Sequence, residues 1–181
     1  MQSKQKQMYS VYFQIGSNLG NREEYLETAI KLISSNIGNV IIESNIFESE
    51  PWGFFASNWF LNQVIQVETN LDPISILKTA NNIEQQLGRK REGKSYSSRT
   101  IDIDILLFDD KEIKLEELQI PHLHMCERRF VLEPLAQIAP NLVHPVTGKS
   151  ISQLLKECSD ELEVHDYTKE IKPPVKPRCR I

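Results

Sequence analysis

Residues Arg99–Phe108 read Arg-Thr-Ile-Asp-Ile-Asp-Ile-Leu-Leu-Phe, and this stretch predicts a strand with two chemically different faces. Isoleucines stand at 101, 103 and 105, so a period of two places them on one face and Asp102 and Asp104 on the other. Asp is depleted in strands, and same-face neighbours lie roughly 7 Å apart. Two carboxylates at that spacing suit a pair of hard cations such as Mg²⁺, and the pattern also fits the solvated face of an edge strand. The strand alone leaves both interpretations open.

The elements around this strand predict an α+β domain. Tyr9–Ile15, Val40–Glu48 and Phe60–Glu68 have the composition of strands. Helical stripes capped by Asn21 and Asp72 follow the first and third of them. The order strand, helix, strand, strand, helix, strand is the split βαβ pattern of a ferredoxin-like fold, an antiparallel sheet with helices packed on it. We expect the helices on one face of the sheet and a site on the other.

The length of 181 residues suits one domain with short extensions. Two later helices are predicted over residues 127–139 and 151–161, and three prolines close to one another follow them. We therefore expect a disordered extension at residues 1–8, a single domain at 9–165 and a Pro-rich tail without regular structure at 166–181.

The composition favours a cytoplasmic protein and disfavours nucleic acid as a partner. The net charge is −4, which argues against nucleic acid as a bulk partner. Cys126, Cys158 and Cys179 are far apart and lack metal-ligand spacing, as expected of free thiols in a reducing compartment. No run reaches the length of a membrane span, and the first seven residues lack the apolar region of a signal peptide. We expect a monomer with no membrane partner.

A basic loop precedes the aspartate strand. Residues 89–99 hold five basic side chains against one acid, Glu92. Arginines hold phosphate oxygens while aspartates hold a metal, so together they suit a polyphosphate with bound Mg²⁺, although a solvated charge run has the same composition. The chain has no Walker A motif and no G-x-G-x-x-G, so side chains would have to hold any nucleotide. The basic residues are Arg89, Lys90, Arg91, Lys94 and Arg99.

Polar and aromatic side chains at short spacings form three further candidate groups. Two groups share a helix side or a strand face, and each also fits an ordinary structural role. A transition-metal site would need a third nitrogen or thiolate near the paired histidines, and the neighbouring sequence offers none. The groups are Asn81 with Glu84, Phe60 with Asn62, and His122 with His124 ahead of Arg128 and Phe130.

Ordered motifs over residues 9–160 resemble those of one family, the 6-hydroxymethyl-7,8-dihydropterin pyrophosphokinases of folate biosynthesis. The most specific are Arg99-Thr-Ile-Asp-Ile-Asp104 and the downstream Pro121-His122. Gly16-Ser-Asn-Leu-Gly20, Phe60-Leu-Asn62, Gly88-Arg-x-Arg91 and Arg128-x-Phe130 occur in the same order as in the family. The resemblance implies transfer of a pyrophosphoryl group from ATP to the hydroxymethyl oxygen of the pterin, with release of AMP.

The resemblance also implies roles for individual residues. Asp102 and Asp104 would hold two Mg²⁺ that bridge the triphosphate, and with Arg89 and Arg99 they would form the catalytic group. Where the family often has Gln, Trp and Gly-Pro, this chain has Asn81, Tyr96 and Ser97-Ser98. The implied pterin contacts are Ser49, Trp52, Phe60, Asn62 and Phe130, with the two phenylalanines on either side of the ring. The implied ATP contacts are Asn81, Glu84, Arg89, Arg91, Tyr96, Arg99, His122 and Arg128.

Two other functions fit parts of the pattern. Another Mg²⁺-dependent, nucleotide-using transferase could share the Asp-x-Asp device with a different alcohol acceptor, and it would not need the aromatic residues. Ferredoxin-like sheets also bind RNA through exposed aromatics. Here aspartates would lie where RNA phosphates pass, which disfavours that function.

Overall fold

The aspartate strand lies at one edge of a six-stranded antiparallel sheet in the computed structural model, which describes residues 7–89 and 97–170. The strand order is β5-β1-β4-β3-β8, and β2 also pairs with β4. These strands are β1 (Tyr9–Ser17), β2 (Asn39–Glu43), β3 (Phe47–Ser49), β4 (Phe60–Thr69), β5 (Asp102–Phe108) and β8 (Val164–Asp166), and β6 (Ile113–Lys114) pairs with β7 (Gln119–Ile120). The helices are α1 (Arg22–Asn36), α2 (Pro73–Gln86), a 3₁₀ turn (Met125–Glu127), α3 (Arg129–Ile138), α4 (Ile151–Glu157) and α5 (Tyr167–Glu170). The predicted α+β class is confirmed.

The first two helices begin where the capping residues predict. The Asp72 carboxylate accepts the backbone N–H groups of Ile74 and Ser75 at 3.1 and 3.0 Å, and Pro73 occupies the first helical position. Asn21 caps α1 through the N–H of Glu24. Both helices bury side chains at three- and four-residue spacing, which places them against one face of the sheet.

Helices cover parts of both faces of the sheet, so the expectation of helices on one face alone was wrong. On the first face, α1 and α2 pack on a core that includes Phe13, Ile15 and Ile65. On the second face, Val64 and Leu106 belong to a second cluster with residues of α3 and α4. Apolar strand residues on the second face need cover as much as those on the first. The part of the second face that α3 and α4 leave open carries the site.

The single strand predicted over residues 40–48 is two strands, β2 and β3, which both pair with β4. The break falls at Ser44, whose hydroxyl accepts the backbone N–H of Val64 at 3.0 Å. The pairing of β2 with β4 also has a register shift, between Val40 and Ile42. The side-chain bond takes the place of a ladder bond and lets the chain change direction.

The start of the predicted irregular tail has regular structure. Strand β8 pairs with β3, so that Asp166 lies opposite Phe47, and the short helix α5 follows directly. Thr168 accepts the backbone N–H of Ile46 through its hydroxyl at 2.9 Å. The expectation was therefore wrong for residues 166–170, while residues 1–6, 90–96 and 171–181 lie outside the described ranges. No helix of the described ranges is long and apolar enough to cross a membrane.

Candidate active site

The register of three strands brings the polar candidates onto one face. On β1, Gly16 lies opposite Asp102 of β5 and Asn62 of β4, while Gln14 lies opposite Asp104. Directly opposed residues of antiparallel strands point to the same side of a sheet. The two aspartates and the predicted pterin-binding amide are thus neighbours across one strand.

Two arginines neutralise Asp102. Its carboxylate lies 2.5 Å from a guanidinium nitrogen of Arg89 and 2.6 Å from one of Arg99. Burial lowers the pKa of Arg89, but the charges of Asp102, Glu84 and Asp104 outweigh this effect and raise it. Arg89 is therefore charged, and both arginines lie beside the aspartates, where they can also reach phosphate oxygens.

Glu84 links helix α2 to the aspartate strand. Its side chain is almost fully buried, and one carboxylate oxygen accepts the backbone N–H of Ile103 at 2.8 Å. The same oxygen contacts the guanidinium of Arg89. Because Ile103 lies between the two aspartates, this carboxylate fixes the strand that positions them. Sequence reasoning assigned Glu84 to the ATP side but gave no sign of the bond to the strand.

Asp104 and His122 form a pair with unusual protonation. Burial and the neighbouring charge of Asp102 raise the pKa of Asp104 to about 7. Burial and the charge of Arg128 lower the pKa of His122 to about 4. The Nδ1 atom of His122 accepts the backbone N–H of His124 at 3.3 Å, so the neutral ring carries its proton on Nε2, which lies 3.9 Å from Asp104.

A narrow cavity of about 40 Å³ contains all the residues predicted to bind the pterin. The guanidinium of Arg128 lies over the rings of Trp52 and Phe130, 4.5 and 5.8 Å from their centroids. Arg99 lies 5.9 Å from the centroid of Phe60. Arginine side chains therefore lie against the aromatic walls that a flat ring would contact. The lining residues are Gln14, Ser49, Glu50, Trp52, Phe54, Phe60, Asn62, Arg99, Asp102, Asp104, Arg128 and Phe130.

A wider cavity of about 470 Å³ lies between α2 and β5, and Asp102 and Asp104 line it too. It contains three of the predicted ATP contacts, Asn81, Glu84 and Arg89. Of the other predicted ATP contacts, Arg99 and Arg128 line the narrow cavity, and His122 borders a separate groove beside Cys126. Arg91 and Tyr96 lie outside the described residues. Two ligands in these two cavities would meet at the aspartate pair.

Sequence reasoning missed three residues that line or support the narrow cavity, namely Gln14, Phe54 and Asn18. The Asn18 side chain is fully buried, accepts the backbone N–H of Arg99 at 2.8 Å and donates to the hydroxyl of Ser98 at 3.0 Å. It thereby holds the backbone of a catalytic candidate. The sequence signal for Gln14 was a polar residue inside the apolar strand that precedes Gly16.

The aspartate pair suits a hard divalent cation. Within the described ranges, no three His, Cys, Asp or Glu side chains cluster closely enough to hold a metal ion. Two carboxylates are nevertheless what Mg²⁺ needs from a protein when substrate phosphates and water complete its octahedron. The raised pKa of Asp104 indicates a site where a nearby cation would stabilise the carboxylate.

Two cavities that meet at arginine-flanked aspartates in an α+β domain are the arrangement expected of an enzyme that transfers phosphoryl groups between small molecules. The family model described as 7,8-dihydro-6-hydroxymethylpterin-pyrophosphokinase (HPPK) matches residues 12–140. The chain belongs to this family, and it is therefore an enzyme of the diphosphokinase type. The interpretation as a transferase of folate biosynthesis is confirmed.

Individual relatives agree with the family. The 2-amino-4-hydroxy-6-hydroxymethyldihydropteridine pyrophosphokinase of Bacillus subtilis is 38% identical over 143 residues, which cover 78% of this chain and 85% of the relative. The enzyme of the same name from Porphyromonas gingivalis is 41% identical over 141 residues, which cover 76% of this chain and 95% of the relative. The wild-type HPPK-DHPS of Plasmodium falciparum, solved with SDX-DHP, superposes with a TM-score of 0.69 at 20% identity. That match covers 86% of this chain and 45% of the other, and it supports the fold alone.

Proposed function

We propose that the protein transfers a pyrophosphoryl group from ATP to the hydroxymethyl oxygen of 6-hydroxymethyl-7,8-dihydropterin with the help of two Mg²⁺, giving AMP and the pterin diphosphate. The observation that carries this proposal is the pair of cavities that share Asp102 and Asp104. In the reaction the hydroxymethyl oxygen bonds to the β-phosphorus of ATP and loses its proton to the surrounding water, and the bond from that phosphorus to the α-phosphate oxygen breaks, so that AMP leaves. Cytoplasmic location and a monomeric state are part of the proposal.

The narrow cavity would take the pterin. Phe60 and Phe130 provide faces for a planar ring, and Asn62, almost fully buried, offers an amide to its edge. Ser49 supports that amide, since its hydroxyl accepts from Asn62 Nδ2 at 2.9 Å. Arg128 would move away from Trp52 to admit the ring.

The wider cavity would take ATP. Ile74 and Leu77 supply apolar surface, while Asn81 supplies an amide. Arg89 and Arg99 reach the aspartates from two sides, so a triphosphate lying over Asp102 would accept hydrogen bonds from both. Glu84 keeps Arg89 and the strand in this arrangement.

Asp102 and Asp104 would hold the Mg²⁺ ions, which supply charge stabilisation to the attacking and leaving oxygens. Neutral His122 can donate from Nε2 toward Asp104 or toward a phosphate oxygen beside it. Since a neutral ring adds no charge, the arginines carry the anion binding.

The test is to incubate the protein with ATP, Mg²⁺ and 6-hydroxymethyl-7,8-dihydropterin and to follow products by mass spectrometry. We expect AMP and the pterin diphosphate in equal amounts. The matched control is 6-methyl-7,8-dihydropterin, which has the same ring without the hydroxyl and should yield no AMP. ADP with a pterin monophosphate, or faster transfer to unrelated alcohols, would contradict the proposal.

A further inference from the structure

We propose that Gln14 is a specificity-determining residue of the pterin slot, because its hydrogen bond to Asn62 holds that amide in the direction set by the other partners of Asn62. This inference rests on the proposed function. Gln14 lies on β1, is only 3% exposed and lines the narrow cavity between Asp104 and Asn62. Its Nε2 atom donates to Oδ1 of Asn62 at 2.9 Å. A buried amide in an apolar strand is costly unless it is hydrogen-bonded, so this bond holds both side chains in place.

The direction of the Asn62 amide follows from its other partners. Its Nδ2 atom lies 2.9 Å from the hydroxyl of Ser49 and 3.4 Å from the backbone carbonyl of Phe60. A carbonyl can only accept, so the amide nitrogen of Asn62 must face that side and its oxygen must face Gln14. Gln14 must then present its own nitrogen. The chain of donors runs from Gln14 through Asn62 to Ser49 in one direction.

Gly16 leaves the room that this pair of amides needs. A Cβ atom on Gly16 would come within 3.1 Å of Gln14 Nε2 and 3.2 Å of Asn62 Oδ1. Gly16 lies opposite Asn62 and two residues after Gln14 on the same face of β1. The backbone of β1 therefore lies directly beneath the pair, and Asn62 lines the narrow cavity beside it.

The fixed amide matches one arrangement of groups on a ligand. Asn62 Oδ1 has a second lone pair, and Nδ2 has a hydrogen engaged only in the long contact to Phe60. Asn62 thus offers an acceptor beside a donor, which complements a ring N–H next to a ring carbonyl. The 4-oxo tautomer of a 2-amino-4-hydroxypteridine has that edge. A 2,4-diaminopteridine reverses it, and binding would leave buried polar groups unpaired.

The experiment compares two ring systems on the wild-type enzyme and on Gln14→Met. Methionine has nearly the same length and cannot donate, so Asn62 is held in direction only by the long contact to Phe60. We expect the wild type to bind the 4-oxo ring at least about a hundredfold more tightly than the 2,4-diamino ring. In Gln14→Met that ratio should narrow by about tenfold or more, with the KM for pterin raised and the dissociation constant for ATP within about twofold of wild type.

Gln63→Met is the matched control. Gln63 is also a buried amide of the sheet, 7% exposed, and its Nε2 donates to the carbonyl of Ser44 at 2.9 Å, away from the slot. Loss of this hydrogen bond in Gln63→Met should lower the melting temperature. The ratio of the affinities for the 4-oxo and 2,4-diamino rings should stay as in the wild type. If Gln14→Met does not fold, Gln14→Ala replaces it in the same measurement.

An unchanged ratio in the Gln14 variant, or equal weakening of both rings, would overturn the inference, since a purely structural residue acts on both alike. If the wild type binds the 4-oxo ring with the expected preference and the variant keeps it, only the role of Gln14 fails. If the wild type binds neither ring, the proposed function fails and this inference fails with it.

Discussion

Asp102 has two arginine partners and so avoids the cost of an unpaired, half-buried carboxylate. When a triphosphate arrives, the guanidiniums of Arg89 and Arg99 can keep contact with the aspartate or pass to phosphate oxygens. The sequence could predict that arginines and aspartates lie together, because their spacing in the chain is short. It could not predict that they pair with each other, since that depends on Glu84, which comes from another element.

We predict that Asp102→Asn and Asp104→Asn each fold normally and lose on the order of a hundredfold or more in kcat, because each removes charge where the transition state needs it. Steady-state kinetics at saturating Mg²⁺ and thermal melts measure the two effects. Asp110→Asn is the control, because Asp110 is an exposed residue of the turn after β5 and should behave as wild type. Near-normal activity of either active-site variant would show that the substituted residue does not hold the metal.

Asp104 should make Mg²⁺ binding depend on pH around neutrality. Its pKa of about 7 means that the metal-free carboxyl is protonated below that pH, and a cation must then displace the proton. We predict that Mg²⁺ affinity falls as pH drops below about 7, approaching tenfold per pH unit, and is level above it. Calorimetric titration of the protein with Mg²⁺ between about pH 5 and 9 measures this. Asp104→Asn should abolish the dependence, and the same slope in that variant would contradict the assignment.

Stability is a poorer readout of these groups, because two linkages oppose each other. The folded pKa of Asp104 lies above the ordinary value of 3.8, so its contribution to stability grows as pH falls from 7 toward 4. The folded pKa of His122 lies below the ordinary value of 6.5, so its contribution is lost as pH falls from 6.5 through 4. Over that shared window the two effects have opposite signs.

At the scale of elements, hydrophobic periodicity predicted the strands and helices whose buried faces are set by their own sequence. Strand β5 and helices α1 and α2 were predicted because alternation and three-to-four spacing fix their buried faces. The break between β2 and β3 was not, because it depends on the bond from Val64 to Ser44, twenty residues earlier in the chain. Strand β8 is three residues long and exists through its pairing with β3, so its own composition gave no signal.

Helix α3 contributes side chains both to the second core cluster and to the narrow cavity, and Phe130 contacts both. Phe130 is partly buried, packs against the second core cluster and lines the narrow cavity. We predict that Phe130→Ala weakens pterin binding at least about tenfold, or about 1.4 kcal/mol, and leaves ATP affinity unchanged. Its stability cost should fall below the roughly 3–5 kcal/mol of a fully buried Phe.

Leu132→Ala, two residues further along α3, provides the comparison. Leu132 is fully buried in the same cluster, so its truncation should lower the melting temperature more than that of Phe130→Ala. Thermal melts and separate titrations with ATP and pterin distinguish the variants. A large drop in melting temperature for Phe130→Ala, with parallel loss of affinity for ATP and for pterin, would show that Phe130 is a core residue and does not form a wall of the pterin slot.

At the scale of the whole molecule, strand β8 and the residues beside it support the side of the sheet that carries the narrow cavity. Strand β8 pairs with β3 so that Val164 lies opposite Ser49, and Glu50 and Glu163 exchange hydrogen bonds. The ring of His165 stacks on Trp59 with the ring centroids 5.7 Å apart. The resemblance could not supply these contacts, because its motifs end near residue 160.

We predict that a chain ending at Glu163 binds pterin about tenfold more weakly while ATP affinity stays near wild type, because β3 loses one of its two neighbouring strands and Ser49 loses its support. A chain ending at Glu170 keeps all the described elements and separates the effect of β8 and α5 from that of the last residues. Titrations of both shortened chains decide the matter. Equal loss of both ligands in the shorter chain would point to general unfolding.

The contact of Arg128 with Trp52 makes the intrinsic fluorescence of Trp52 a reporter of the narrow cavity. The chain has two tryptophans, and the other, Trp59, lies against His165 outside the narrow cavity. A flat ring that enters the slot replaces a guanidinium beside the Trp52 indole with a neutral heterocycle. Indole emission responds to such an exchange, so the arrival and departure of the pterin can be timed by stopped-flow fluorescence on the unlabelled enzyme.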